Sequence, residues 1–124
     1  MKNIILLTDK PIEKDSCREI FLNVFPNKEI INDDKESLLL GRPYSNINVI
    51  YSYDRVLDEN SSFSEDDAKH IPLNNPYCTI VEFHKIAIAK QAVSALVTKY
   101  PELYIYYDEE DWYGTPVEFE QFIS

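Results

Sequence analysis

The hydrophobic positions of this chain fall into short runs whose period alternates between two and about three and a half residues. Asn3 to Thr8 is apolar almost throughout and bounded by Asp9, which predicts a buried strand. Pro11 suits the first turn of a helix. The residues after it place Cys17, Ile20, Phe21 and Val24 on one face, with Lys14, Arg18 and Glu19 elsewhere, and Pro26-Asn27 closes the element. Ser37 to Leu40 predicts a short strand stopped by Gly41-Arg42-Pro43. Ile47 to Tyr53 predicts a half-buried one, with Ile47, Val49, Tyr51 and Tyr53 facing one way and Asn48 and Ser52 the other.

Residues 54–77 have loop chemistry around Asp58-Glu59-Asn60-Ser61-Ser62. Ser62 with Glu65 three positions later reads as a capping box opening one short helix through about Lys69. Pro72 and Asn74-Asn75-Pro76 then break the chain. Cys78 to Phe83 is β-branched and apolar, a strand. Ile86 to Tyr100 is the clearest helix, with a stripe of Ile86, Ala89, Val93, Leu96 and Tyr100, closed by Pro101. Leu103, Ile105 and Tyr107 alternate with Tyr104 and Tyr106 in a last strand. Gly114 permits a turn, and Thr115, Pro116 and Glu118 open a short helix from Val117 to about Ile123 with a capping box. The order β-α-β-β-(loop/helix)-β-α-β-α predicts one α+β domain over residues 1–124. The expected form is a two-layer sandwich with a mostly antiparallel sheet of about five strands and helices on one face, ferredoxin-like or similar.

Charge adds a polarity to this frame. The chain has 124 residues and a formal net charge of −10, and residues 101–124 hold seven acidic and no basic side chains. Residues 76–100 hold three basic and one acidic, so a mildly basic segment precedes the acidic end. Such a surface repels phosphate backbones and attracts basic proteins, which argues against direct nucleic-acid binding. The chain has two glycines, too few for the usual phosphate-cradling loops. Cys17 and Cys78 make no disulfide framework and read as buried thiols. The apolar run near the N-terminus is too short for a signal peptide core or a membrane span, so a cytoplasmic location without membrane contact is expected.

The candidate chemistry is concentrated in Asp108-Glu109-Glu110-Asp111, followed by Trp112 and Tyr113. Four adjacent carboxylates repel one another and are tolerated in water or against a basic partner. Trp and Tyr beside them offer the large rigid area that anchors interfaces. A plain solvated turn fits the same acids. Calcium or magnesium binding is not expected, because adjacent side chains on an extended segment diverge and Gly114 lies beyond the acids. Tyr104 and Tyr106 face away from Ile105 and Tyr107; they either form an exposed stripe or pack under the last helix through Phe119 and Phe122. A second acidic surface is offered by Asp58, Glu59, Glu65, Asp66 and Asp67. His70 and His84 are available for acid–base work, but no spacing links them to a nucleophile, so no catalytic residue and no cofactor is assigned.

From Cys78 onward the chain resembles small bacterial immunity proteins of polymorphic or contact-dependent toxin systems. The resemblance lies in Thr79-Ile80-Val81-Glu82-Phe83, a helix ending in Lys99-Tyr100-Pro101, Leu103-Tyr104-Ile105, Asp108 to Trp112 and Glu118-Phe119. It implies a non-enzymatic inhibitor that binds a cognate toxin domain, commonly a nuclease with a basic active site. Two other classes fit the composition: a small enzyme with an acidic, metal-assisted site, and a ligand-binding regulatory α+β domain.

Overall fold

The computed structural model describes residues 2–51, 54–58 and 63–122. Among them the chain forms one antiparallel sheet of seven strands with four α-helices. In chain order these are β1 (Lys2–Thr8), α1 (Lys14–Val24), β2 (Ile30–Asp33), β3 (Ser37–Leu40), β4 (Ile47–Ile50), α2 (Glu65–Lys69), β5 (Tyr77–Phe83), α3 (Ile86–Lys99), β6 (Tyr104–Tyr107), β7 (Trp112–Gly114) and α4 (Pro116–Phe122), with a 3-10 turn at Asp108–Glu110. The strand order is β2-β3-β4-β5-β1-β6-β7. β1 pairs along its whole length with β5, Lys2 opposite Phe83 and Thr8 opposite Tyr77, and on its other side with β6. β5 and β6 run parallel to each other with antiparallel β1 between them, which is a split βαβ connection through α3.

The sheet therefore has seven strands where five were expected. The two additional ones are short edge strands. β2 carries little that alternates toward a core: Ile30 and Ile31 are both exposed, and the register slips between Ile30 and Asn32, a bulge. β7 lies in the segment that reads as an acidic turn, and it becomes a strand because its backbone pairs with β6. The strand expected over Ile47 to Tyr53 ends at Ile50. Tyr51 is buried, and Tyr53 lies outside the described residues.

Two cores hold the sheet. On one face Ile4, Leu6, Leu38, Leu40, Ile47, Val49, Val81, Phe83, Ile105 and Tyr107 meet α1, α3 and α4. α3 buries Ile88, Ala89, Ala92, Val93 and Leu96, a wider stripe than expected, because α1 and α4 flank it while the sheet lies beneath. On the other face Leu7 and Cys78 are covered by Val56 and Ile71, with Ile5, Phe63, Ala68, Leu73, Tyr104, Tyr106 and Tyr113 packed around them. The helices thus do not keep to one face: α2 and the connection around it roof the second. Cys17 and Cys78 are free and buried, as expected of them. Among the described residues no helix is long and apolar enough to cross a membrane.

Capping boxes open both α2 and α4. α2 is opened by Ser64, with Asp67 as the reciprocal partner, two residues later than the expected Ser62, which lies outside the described residues. α4 has the expected box: Thr115 N–H donates to Glu118 Oε1 (2.9 Å) and Glu118 N–H to Thr115 Oγ1 (3.2 Å).

Gly114 ends β7 directly beneath the six-membered ring of Trp112, where a Cβ would collide with the ring carbons. The ring is pinned by Phe122 and Phe119, so it has little room to yield. Gly114→Ala is therefore expected to destabilise the fold by about 1–3 kcal/mol through overpacking. A lower urea midpoint with an unchanged m-value is the outcome to look for; equal stability would mean that the ring moves freely.

Candidate functional site

The alternation of β6 divides its aromatic residues between the two cores. Ile105 and Tyr107 enter the helix-covered core, while Tyr104 and Tyr106 face the second. β7 returns antiparallel, with Tyr113 opposite Tyr106 and Trp112 opposite Tyr107, so the next two aromatics are divided the same way. Trp112 stacks on Phe122 at 4.9 Å and lies 5.9 Å from Phe119, and Tyr107 joins them. The packing against Phe119 and Phe122 thus falls to Tyr107 and Trp112, not to Tyr104 and Tyr106, because the strand alternation puts the last helix on the inner face. Trp112 is half-buried as a latch for α4. On the second face Tyr106 and Tyr113 stack with centroids 4.5 Å apart, Phe63 lies 5.4 Å from Tyr106, and His70 stacks on Tyr113 at 5.6 Å.

The acids meet this aromatic group. Asp108 to Glu110 form a 3-10 turn, and Asp111 closes it in the left-handed conformation (φ 46°, ψ 47°). Side chains three apart eclipse one another in such a turn. Asp108 and Asp111 consequently point the same way, and both accept from the Tyr106 hydroxyl, at 3.2 and 3.4 Å. An extended segment would have separated them, as the sequence suggests; the turn brings them together. Glu109 and Glu110 are exposed and lie nearer Tyr107.

Asp67 arrives from the other acidic segment. Its Oδ2 accepts from Ser64 N–H (3.0 Å), which holds the carboxyl below the usual range. The same carboxylate faces the buried Tyr113 hydroxyl, outside ordinary hydrogen-bond geometry, and His70 is close enough to add to its depression. Burial, the hydrogen bond to Asp108 and the neighbouring Asp111 and Asp67 charges together push the Tyr106 phenol up to about 12. Tyr113 is raised further, by burial first and then by Asp67. Both hydroxyls therefore stay protonated at neutral pH, and that of Tyr106 donates to Asp108 and Asp111.

The remaining candidates separate. Glu65 and Asp66 are exposed on the first turn of α2, with Asp66 paired to Lys69 at 3.5 Å. Asp58 closes a turn at the start of β5, accepting from Arg55 N–H at 2.8 Å, and contributes to raising Cys78 rather than to the tyrosine cluster. Glu59 lies outside the described residues. His84 meets exposed Tyr44 edge-on at 5.1 Å, while His70 belongs to the cluster. No group of three or more His, Cys, Asp or Glu side chains among the described residues is placed to hold a metal ion.

Beside the cluster lies a depression of about 210 Å³ with walls of Ile5, Ile80 and Phe63 and polar groups from Asn3, Asp67, Tyr106 and Asp108. Sequence reading missed the apolar half of it. β1 looks buried on both faces, yet Asn3 and Ile5 are only half-buried, and Ile5 stands opposite Ile80 across the β1–β5 pair. A lone aromatic, Phe63, inside an acidic loop was the one available signal. A larger groove of about 590 Å³ runs between α1 and α3, on the opposite side of the sheet, past Ile20, Val24 and Ala95.

The tyrosines make the site's protonation visible in stability. An ordinary tyrosine titrates near ~10, whereas folded Tyr106 does so at about 12. Its contribution is fully present below the unfolded-state value and is lost as pH rises through the folded one. Stability should thus fall between pH ~10 and ~12, and Tyr106→Phe should flatten that decline. Urea unfolding across the alkaline range measures it; parallel declines in both proteins would place Tyr106 outside the effect. No family model, curated protein or solved structure matches this chain, so the meaning of the site has to come from its own residues.

Proposed function

We propose that this protein is an immunity-type inhibitor, built on a ferredoxin-like core, that binds and neutralises a cognate basic toxin domain in the cytoplasm. The observation that carries the reading is the meeting of two acidic segments, remote in sequence, on one aromatic platform. Asp67 from the connection and Asp108 and Asp111 from the 3-10 turn converge on Tyr106 and Tyr113. None of the salt bridges among the described residues ends on any of the three. With a net charge of −10 behind them, they present a net negative surface beside rigid rings, the combination that steers and then anchors a cationic protein. Occlusion of a basic nuclease site would be both electrostatic and steric. A small acid–base enzyme would need a histidine and two carboxylates to share a concavity, and the depression holding Asp67 and Asp108 is lined by neither His70 nor His84.

The test is to sequence the adjacent reading frames, express any basic domain found there, and ask whether it is toxic and whether co-expression of this chain relieves it. The wild-type chain should restore growth and form a complex whose association slows at least about tenfold between low and high salt. Asp108→Lys with Asp111→Lys, both at exposed positions, should slow association about tenfold or more while leaving the fold intact by circular dichroism. Association insensitive to both salt and these substitutions, or no rescue and no complex, would overturn the reading.

A further inference from the structure

The depression beside the cluster has a shape and a chemistry narrower than general attraction to bases. It is concave rather than flat: Ile5 and Ile80 form an aliphatic wall from paired strands, Phe63 and Tyr106 contribute rings tilted against each other with centroids 5.4 Å apart, and the carboxylates of Asp67 and Asp108 complete the lining. Its volume of about 210 Å³ suits one long side chain and is smaller than the ~300 Å³ and more typical of small-molecule sites. Apolar walls match a methylene stem, and rings with nearby carboxylates match a planar cation that both stacks and hydrogen-bonds. A compact ammonium can also sit over a ring, but it lacks the planar fork that stacks and hydrogen-bonds to two carboxylates at once.

Resting on the proposed reading as an inhibitor of a basic protein, we infer that this depression is a socket for a single arginine side chain of the partner, its stem against Ile5 and Ile80 and its guanidinium between the Tyr106 ring and the Asp67 and Asp108 carboxylates. This arginine would be the anchor of the interface. The exposed Glu109 and Glu110 outside the socket would contribute steering alone.

The socket can be probed without the partner. Doubly blocked arginine is titrated into the full chain, with doubly blocked citrulline as a neutral probe of the same shape, and amide shifts of Ile5, Ile80, Tyr106 and Asp108 are followed by NMR. Arginine should give saturable shifts confined to these residues, and citrulline should bind about tenfold more weakly or worse. Asp108→Asn should weaken arginine binding about tenfold, while Glu109→Gln with Glu110→Gln, which removes more charge, should leave it unchanged. Equal response to both probes, shifts spread over every acidic surface, or equal loss in the Glu109/Glu110 variant would overturn the socket. The two proposals fail separately. A toxin complex that forms and depends on Asp108 and Asp111 while arginine shows no localised binding removes the socket alone. Localised arginine binding without a toxin complex removes the inhibitor reading and leaves a guanidinium site.

Discussion

The constraint on which the site depends is that the centre of the sheet is apolar on both faces. Ile4 and Leu6 of β1 point to one side and Ile5 and Leu7 to the other, and all four are hydrophobic. Helices α1, α3 and α4 cover the first side. The second needs a cover too, and the connection from β4 to β5 provides it by lowering Val56 and Ile71 onto Leu7 and Cys78. Fully burying such aliphatic side chains is worth ~1.5–3 kcal/mol each. Bringing two carboxylates to within ~4 Å in water costs ~1 kcal/mol. Burial wins, and the acidic connection is drawn down beside the acidic turn in spite of their repulsion. The site is a by-product of that balance before it is anything else.

The same balance explains what could be read from the sequence. The central strands and α3 carry their own pattern, so periodicity finds them. Ser37 to Leu40, Cys78 to Phe83 and the Thr115–Glu118 capping box are where the residues say they are. β2 and β7 carry none: Ile30 and Ile31 are adjacent and both exposed, and Trp112-Tyr113-Gly114 looks like the tail of a charged loop. Their strand character comes from pairing with β3 and β6, information that lies in the partner and not in the segment. The capping box of α2 shows a smaller failure. Ser62-x-x-Glu65 and Ser64-x-x-Asp67 are both plausible signatures two residues apart, and the choice of Ser64 goes with the placement of Ala68 and Ile71 against the second core.

For the candidate site, sequence reading singled out the acids and missed their geometry. It read 108–111 as a turn without giving that turn a geometry, argued from extended neighbours that the acids diverge, and treated the two acidic segments as separate candidate surfaces. The 3-10 turn pairs Asp108 with Asp111, and the second core brings Asp67 to them, so parts of both segments make one surface while Asp58 is left elsewhere. Trp112, the most conspicuous residue of the segment, turns out to be a latch for α4, and the less conspicuous Tyr106 and Tyr113 carry the contact with the acids.

Those tyrosines also decide how the charge behaves. The Tyr106 phenol donates to both Asp108 and Asp111 and so spreads part of their charge. It cannot neutralise them, and the sheet keeps α3, with Lys90 and Lys99, on its opposite face. The repulsion that burial overcomes during folding therefore remains in the native state. A cation reaching this face gains its own attraction to each carboxylate and also relieves the repulsion among them. The fold thereby makes the surface more selective for positive charge than the same three residues would be if scattered.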